Sequence, residues 1–286
     1  MLDWENLRYF VAIVEAGSLS GAARHMKVDH GTVSRRLSAL EAELGVRLLD
    51  RLPRRCSLTA MGMQIHRLAQ DMERAEFGIE RLASAEQANM SGKVTLSVPP
   101  VLGTNFFADR LAPLRKRHPG IQLSMANQAQ SVSLERREAD IAVRLFRPSE
   151  PANVTRRIGR MPFGLYCAHD YAHATQPQDW GFIAYDAQYA DMPHQQWLLS
   201  VAAGRPVVCE VSDISTQQRV ARSGLGVAGL PLFIGDPDPA LRPLPCDGES
   251  FYRDIWLVVH GDLGKSPLIR AVLDYVSETV EQVFAT

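Results

Sequence analysis

Cysteine is scarce, and none of the four (Cys56, Cys167, Cys209, Cys246) lies within a CxxC pair. That spacing excludes a zinc site of paired cysteines and offers no disulfide framework, so reduced thiols are expected. No long apolar run is present either. The longest nearly apolar stretch, 225–234, is interrupted by Pro231 and falls far short of the ~20 residues that span a bilayer. The chain opens Met1-Leu2-Asp3-Trp4-Glu5, acidic where a secretory signal is basic. A cytoplasmic protein with no membrane partner is therefore expected.

A charge excess is missing too, with 31 basic residues against 32 acidic ones. A chain that coats nucleic acid without selectivity is basic overall, so any DNA-binding surface must be local. The sequence contains no GxSxG, HExxH or P-loop, and no fixed-period repeat. Gly224-x-Gly226-x-x-Gly229 matches a dinucleotide fingerprint, but it follows the amphipathic stretch 214–222 where the motif requires a strand. These glycines read as a helix cap and a close strand contact. His169 and His173 stand four apart with no third ligand in sight. No cofactor, metal or catalytic residue is predicted.

Against these absences, 46% hydrophobic and 22% charged residues describe an ordinary globular protein, and 286 residues suggest two domains. The first ninety residues read as helices. Asp3 caps an apolar face of Trp4, Leu7, Val11 and Val14, and Gly17 ends it. Ser18 or Ser20 caps a short second helix. Residues 28–31 form a turn in which Asp29 caps a third helix over 32–44, closed by Gly45. A basic turn, Arg51-Leu52-Pro53-Arg54-Arg55, separates two extended pieces, 47–49 and 57–58, and Thr59 caps a long helix.

On that helix Ile65, Leu68, Met72, Ala75, Ile79 and Leu82 are spaced 3, 4, 3, 4, 3. This narrow heptad seam on a charged helix predicts pairing with a second copy, against the alternative of packing on its own domain. From residue 93 the pattern alternates. Strands are predicted at 94–98, 121–126, 140–144, 163–168, 206–211, 226–230 and 255–260. Helices are predicted at 104–118, 133–138, 194–203, 214–222 and 267–284. The expectation is an α/β architecture with mostly parallel strands.

Two short helices about a tight turn suggest helix-turn-helix DNA binding. The third helix opens with His30, Thr32 and Ser34 and continues with Arg35 and Arg36, side chains suited to base edges and phosphates. Between residues 24 and 55, eight basic residues face four acidic ones, so positive charge is concentrated here.

The order of Leu7, Phe10, Gly17-Ser18, Ala22-Ala23, Val33-Ser34-Arg35, Leu40-Glu41, Leu44-Gly45, Leu48, Arg51, Leu58-Thr59 and Gly62 resembles the LysR-type transcriptional regulators. The chain departs from that pattern at Asp29-His30-Gly31-Thr32, where the family often has Ser-Gln-Pro-Ala, and at Leu49, where Phe is frequent. The resemblance implies a winged helix-turn-helix over 1–58, a linker and dimerisation helix with hinge over 59–90, and an effector domain over 91–286. That last domain is expected to hold two α/β subdomains of periplasmic-binding-protein type with a small molecule between them. Its matching stretches are Leu111-Ala112-Pro113-Leu114, His118-Pro119, 138–143 and Gly224-Leu225-Gly226-Val227.

The expected DNA contacts are Ser18, Ser20, His30, Thr32, Ser34, Arg35 and Arg36, with Arg51, Arg54 and Arg55 from the wing. The expected effector contacts are Pro100, Val101, Thr104, Gln128, Arg144, Phe146 and Asp213. Arg144, at a strand end, suits an anionic effector, and its alternative role is a structural ion pair. Partners implied are double-stranded operator DNA, the effector, a second copy with dimers pairing into tetramers, and RNA polymerase as a further candidate. A thiol-based redox sensor using Cys167, Cys209 and Cys246 is the competing reading within the same architecture. An enzyme with a DNA-binding appendage is the rival from another class.

Overall fold

A computed structural model of the chain describes residues 2–52, 55–86, 90–127, 139–246 and 250–284. The backbone divides into two compact units, Met1–Ser84 and Ala85–Thr286.

The first unit contains α1 (Trp4–Ala16), α2 (Leu19–Met26), α3 (His30–Leu44), β1 (Leu49–Leu52), β2 (Arg55–Leu58) and α4 (Ala60–Glu86). Short polar side chains satisfy the free amides at the helix starts. Asp3 Oδ1 accepts from Glu5 N, Ser18 Oγ from Gly21 N, Asp29 Oδ1 from Thr32 N and Thr59 Oγ1 from Gly62 N, all at 2.9–3.1 Å. Of the two candidate serines, Ser18 is the cap and Ser20 is exposed in the first turn. Gly17 and Gly45 close α1 and α3 with left-handed φ of 66° and 68°. Lys27 closes α2 at φ 56°, and α3 begins at His30, so the predicted turn shortens to Val28-Asp29. Leu7, Phe10, Ile13, Ala22, Val33, Leu37, Leu40 and Leu48 form a core that excludes water. The unit is helical except for the antiparallel β1–β2 hairpin, which is longer than the predicted extended pieces.

The second unit runs β3 (Gly92–Val98), α5 (Pro100–Leu102), α6 (Ala112–Arg117), β4 (Ile121–Asn127), β5 (Ile141–Arg144), β6 (Asn153–Ala168), β7 (Phe182–Tyr185) and α7 (Pro193–Ala202). It continues with β8 (Val207–Val211), α8 (Ile214–Arg222), β9 (Val227–Pro231), α9 (Leu232–Gly235), β10 (Leu241–Leu244), β11 (Tyr252–His260) and α10 (Pro267–Glu281). The strands join in the order β4-β3-β5-β11-β6-β9-β7-β8, with β10 also on β6.

The expectation of mostly parallel strands is corrected. β3, β4 and β5 are mutually parallel, and so are β7, β8 and β9. However, β6 and β11 run against their neighbours. β6 is shared: residues 153–162 pair with β11, and 163–168 pair with β9 and β10. One long strand thus passes from one α/β half to the other, and the predicted strand 163–168 is only its second part.

The predicted helix 104–118 is also corrected. After α5 it breaks into a π-helical turn Gly103–Phe107, a 3-10 turn Ala108–Arg110 and α6, the last with Pro113 in its first turn. Strands β7 and β10 have no counterpart in the sequence reading. The predicted helix 133–138 lies outside the described residues. Gly224 takes φ +79° after α8, and a Cβ on Gly226 would stand 2.5 Å from the Gly181 carbonyl oxygen. This is the role in capping and close packing expected of the GxGxxG glycines. No described helix is long and apolar enough to cross a membrane.

Candidate functional site

The helix-turn-helix presents the start of α3. His30 and Arg35 are exposed there, and Ser34 is half-buried. Thr32 is more occupied. Its hydroxyl donates to Asp29 Oδ2 at 2.6 Å and accepts from Arg35 Nη2 at 3.0 Å. That bond, with the Thr32 amide, holds the Asp29 carboxyl below the usual carboxylate range. Arg36 turns the other way, donating to Asn6 Oδ1 at 3.2 Å and to Asp3 Oδ2 at 3.4 Å and lying over the Tyr9 ring.

The wing is fixed by its neighbours. Glu41 Oε1 accepts from Leu48 N and Leu49 N, Thr59 Oγ1 donates to the Arg47 carbonyl, and Cys56 N donates to the Gly17 carbonyl. The backbone of Arg51 and Arg55 lies in β1 and β2. Arg54 lies outside the described residues.

The α4 seam divides. Ile65 is half-buried against the core of its own unit, beside buried Ala69. Leu68, Met72 and Ile79 are 63%, 44% and 70% exposed, and Ala75 is exposed as well. Leu82 belongs to α4 by its backbone.

In the second unit a cavity of about 590 Å³ opens beside the point where β6 changes partners. Pro100, Val101, Thr104, Arg144, Phe146 and Asp213 all line it, and Gln128 lies outside the described residues. Arg144 ends β5 and is buried. It donates to the carbonyls of Val143 (2.7 Å) and Ser97 (3.3 Å) and to Ser97 Oγ (3.1 Å). Its partners are neutral oxygens, so the structural ion pair weighed as its alternative role is absent among the described residues. Asp213 caps α8, accepting from Thr216 N at 2.9 Å and Thr216 Oγ1 at 2.6 Å.

Sequence reasoning missed Arg253, His194, Tyr185, Phe163 and Met161, which also line the cavity. Arg253 donates from Nε (3.2 Å) and Nη2 (2.8 Å) to the carbonyl of Leu145, the residue after Arg144. It sits in β11, ahead of the stretch read as strand, so its pairing opposite Met161 of β6 was invisible. Gln195 fixes the next contact. Its amide closes a reciprocal pair with the Tyr185 backbone, at 2.9 and 3.1 Å, and locks the start of α7 to the end of β7.

His194 is thereby set against the rings of Phe163, stacked at 5.3 Å, and Tyr185, edge-on at 4.8 Å. Burial, with a contribution from Arg253, pushes its imidazole down to about 3, so it is neutral near pH 7. Its Nε2 is buried with no hydrogen-bond partner among the described residues. Burial likewise raises the Tyr185 hydroxyl and lowers both guanidiniums, which stay charged.

Residues 4–63 match the family described as bacterial regulatory helix-turn-helix proteins of the LysR family, and residues 87–281 match the LysR substrate binding domain. The chain belongs to the LysR family of transcriptional regulators. Similar full-length relatives of this LysR-type protein include the Mau operon transcriptional activator of Paracoccus denitrificans, 27% identical over 99% of both chains. The regulator CrgA of Neisseria meningitidis serogroup C is 29% identical over 96% of both. Among solved structures, full-length OxyR from Pseudomonas aeruginosa superposes with a TM-score of 0.67 at 20% identity, covering 100% of this chain and 99% of that one. ArgP from Mycobacterium tuberculosis gives 0.63 at 22% identity, covering 99% of both. These likenesses show the fold: a helix-turn-helix followed by a linker helix and a two-part α/β effector domain.

Of the three cysteines of the redox reading, Cys209 and Cys246 are partly buried. Cys167 is buried, and burial pushes its thiol above the ordinary value. Among the described residues no three His, Cys, Asp or Glu side chains gather as a metal site, and His169 and His173 find no third ligand.

Proposed function

We propose that this LysR-type regulator reads an operator through the exposed start of α3, with His30, Ser34 and Arg35 toward the bases and phosphates. Ser18, Ser20, Thr32 and Arg36 shape and orient that surface. Arg51, Arg54 and Arg55 of the wing reach the neighbouring phosphates or minor groove. The protein works as a dimer joined through Leu68, Met72, Ala75, Ile79 and Leu82 of α4, and dimers pair into tetramers. Exposed Leu68 and Ile79 on an otherwise charged helix support this reading.

The effector occupies the cavity beside the β6 crossing. It acts by favouring one arrangement of the two α/β halves over another, with RNA polymerase as the downstream partner. The protein resides in the cytoplasm and acts by binding, without catalysis. The observation that carries the effector reading is the cavity itself: about 590 Å³, walled by residues from both halves, with two arginines facing it.

The test is operator selection followed by a response assay. The full-length protein is used to capture fragments of its source genome, and affinity for the captured operator is then measured with and without a low-molecular-weight metabolite extract. A cavity-filling Val101→Trp variant is expected to lose the response to the extract. An unaltered response would remove the cavity from the mechanism.

A further inference from the structure

Both arginines at the cavity are held by neutral oxygens alone, and both are held at one place. Arg144 is 4% exposed, and its bonds to Ser97 and Val143 do not use all five guanidinium N–H donors. Arg253 reaches the carbonyl of the very next residue, Leu145, and also keeps donors in reserve. No carboxylate of the described residues forms an ion pair with either. Of the acids that line the cavity, Asp213 has both oxygens engaged by Thr216, and Asp191 is exposed. Two neighbouring cations largely withdrawn from water, with no ion pair and only partial compensation of Arg144 by the exposed Glu150, are costly, and a bound anion offsets that cost.

The remaining walls are of the opposite character. Met161, Phe163, Tyr185, Phe146 and Ile214 surround the space, and His194 is neutral between two rings. A sugar or a phosphate ester would strip hydroxyls or a second charge of water against these carbon surfaces, which outweigh the polar groups of Thr104, Gln188, Ser212 and Ser215 that also line the cavity. An amino acid would need an acceptor for its ammonium; both Asp213 oxygens already accept from Thr216, so the exposed Asp191 would have to supply it.

We infer that the ligand of this cleft is an apolar carboxylate, an aryl- or alkyl-substituted acid, with its carboxylate between Arg144 and Arg253 and its carbon body against Phe163, Tyr185 and Met161. The orphaned Nε2 of His194 then meets a hydroxyl on that body or a water carried with it. This inference rests on the cleft being the effector site.

The test is calorimetric titration of the full-length protein with phenylacetate and hexanoate, beside methyl phenylacetate, phenylalanine, phenyl phosphate and inorganic phosphate. Both acids are expected to bind and to raise the melting temperature with concentration. The neutral ester is expected to bind about tenfold more weakly or worse, because a charge-assisted hydrogen bond is lost. Arg144→Gln and Arg253→Gln are each expected to weaken phenylacetate by a similar factor. If Arg144→Gln unfolds more easily without ligand, the half-buried Arg253 carries the comparison.

Equal binding of the ester, tighter binding of phenylalanine or either phosphate, or no binding of both acids overturns the ligand class. The Val101→Trp variant separates the two levels of failure. If it abolishes the extract response while neither acid binds, only the ligand class falls. If it leaves that response intact, the effector site falls with it.

Discussion

Arg36 Nη1 donates to Asn6 Oδ1 at 3.2 Å, from α3 to α1, whereas adjacent Arg35 donates to Thr32 Oγ1 on its own helix. Neighbours in sequence therefore differ in their partners: Arg36 ties two helices together, and Arg35 stays on its own helix and is exposed. Arg35→Ala is expected to weaken operator binding without lowering the melting temperature. Arg36→Ala should in addition lower stability by about 0.5–1 kcal/mol, the range of a partly exposed ion pair. Thermal unfolding beside anisotropy titration of labelled operator distinguishes the two. If Arg35 reads a base, titration of single-base operator variants will show about 1–3 kcal/mol of lost discrimination at one position.

The α4 seam sorts in the same way. Leu68→Asp and Ile79→Asp place a charge on side chains that are 63% and 70% exposed in the single chain, so the isolated unit should keep its fold. Light scattering is expected to show loss of the dimer, and an unchanged oligomer would remove these residues from the interface. Ile65→Asp should instead unfold the first unit, because Ile65 packs on the core of Leu7, Phe10 and Leu37.

Gly62 sets the approach of α4 to the wing. A Cβ there would run into the Leu48 carbonyl, a backbone group that cannot swing aside. Gly62→Ala is expected to destabilise the first unit by about 1–3 kcal/mol, the usual cost of overpacking. Chemical denaturation followed by far-ultraviolet circular dichroism would measure it.

His194 gives the protein an acid dependence of known sign. Its folded value, pushed down to about 3, lies below the ordinary 6.5. Above about pH 6.5 both states hold it neutral, and it adds no pH dependence. Between about 6.5 and 3 only the unfolded chain takes up the proton, so stability falls by up to ~1.4 kcal/mol per pH unit on the way down. His194→Phe should flatten that part of the profile, read as denaturation midpoints across the window. An unchanged slope would mean that the imidazole is protonated in the folded protein.

Reductant and peroxide are expected to leave operator affinity unchanged. The thiol of Cys167 is buried and pushed away from its reactive form. A peroxide-dependent shift abolished by Cys167→Ser would reverse this.

The local features of this protein were written in its sequence. Caps such as Asp3, Ser18, Asp29 and Thr59 act within three residues, so composition and spacing suffice to place α1 to α4. The heptad on α4 was legible for the same reason, and so were the family and the cleft positions Arg144 and Asp213. Tertiary structure decided what depends on distant pairing. The halves of β6 join different strands, so its length and antiparallel sense follow from residues about 100 positions away in β11 and about 65 away in β9. Arg253, His194 and Phe163 meet at the cavity only because that crossing, and the Gln195 lock on Tyr185, bring β11, α7 and β6 together. The split between Arg35 and Arg36 likewise depends on α1 packing behind α3. A helix face facing solvent and one facing a neighbour carry the same residues until the neighbour is in place.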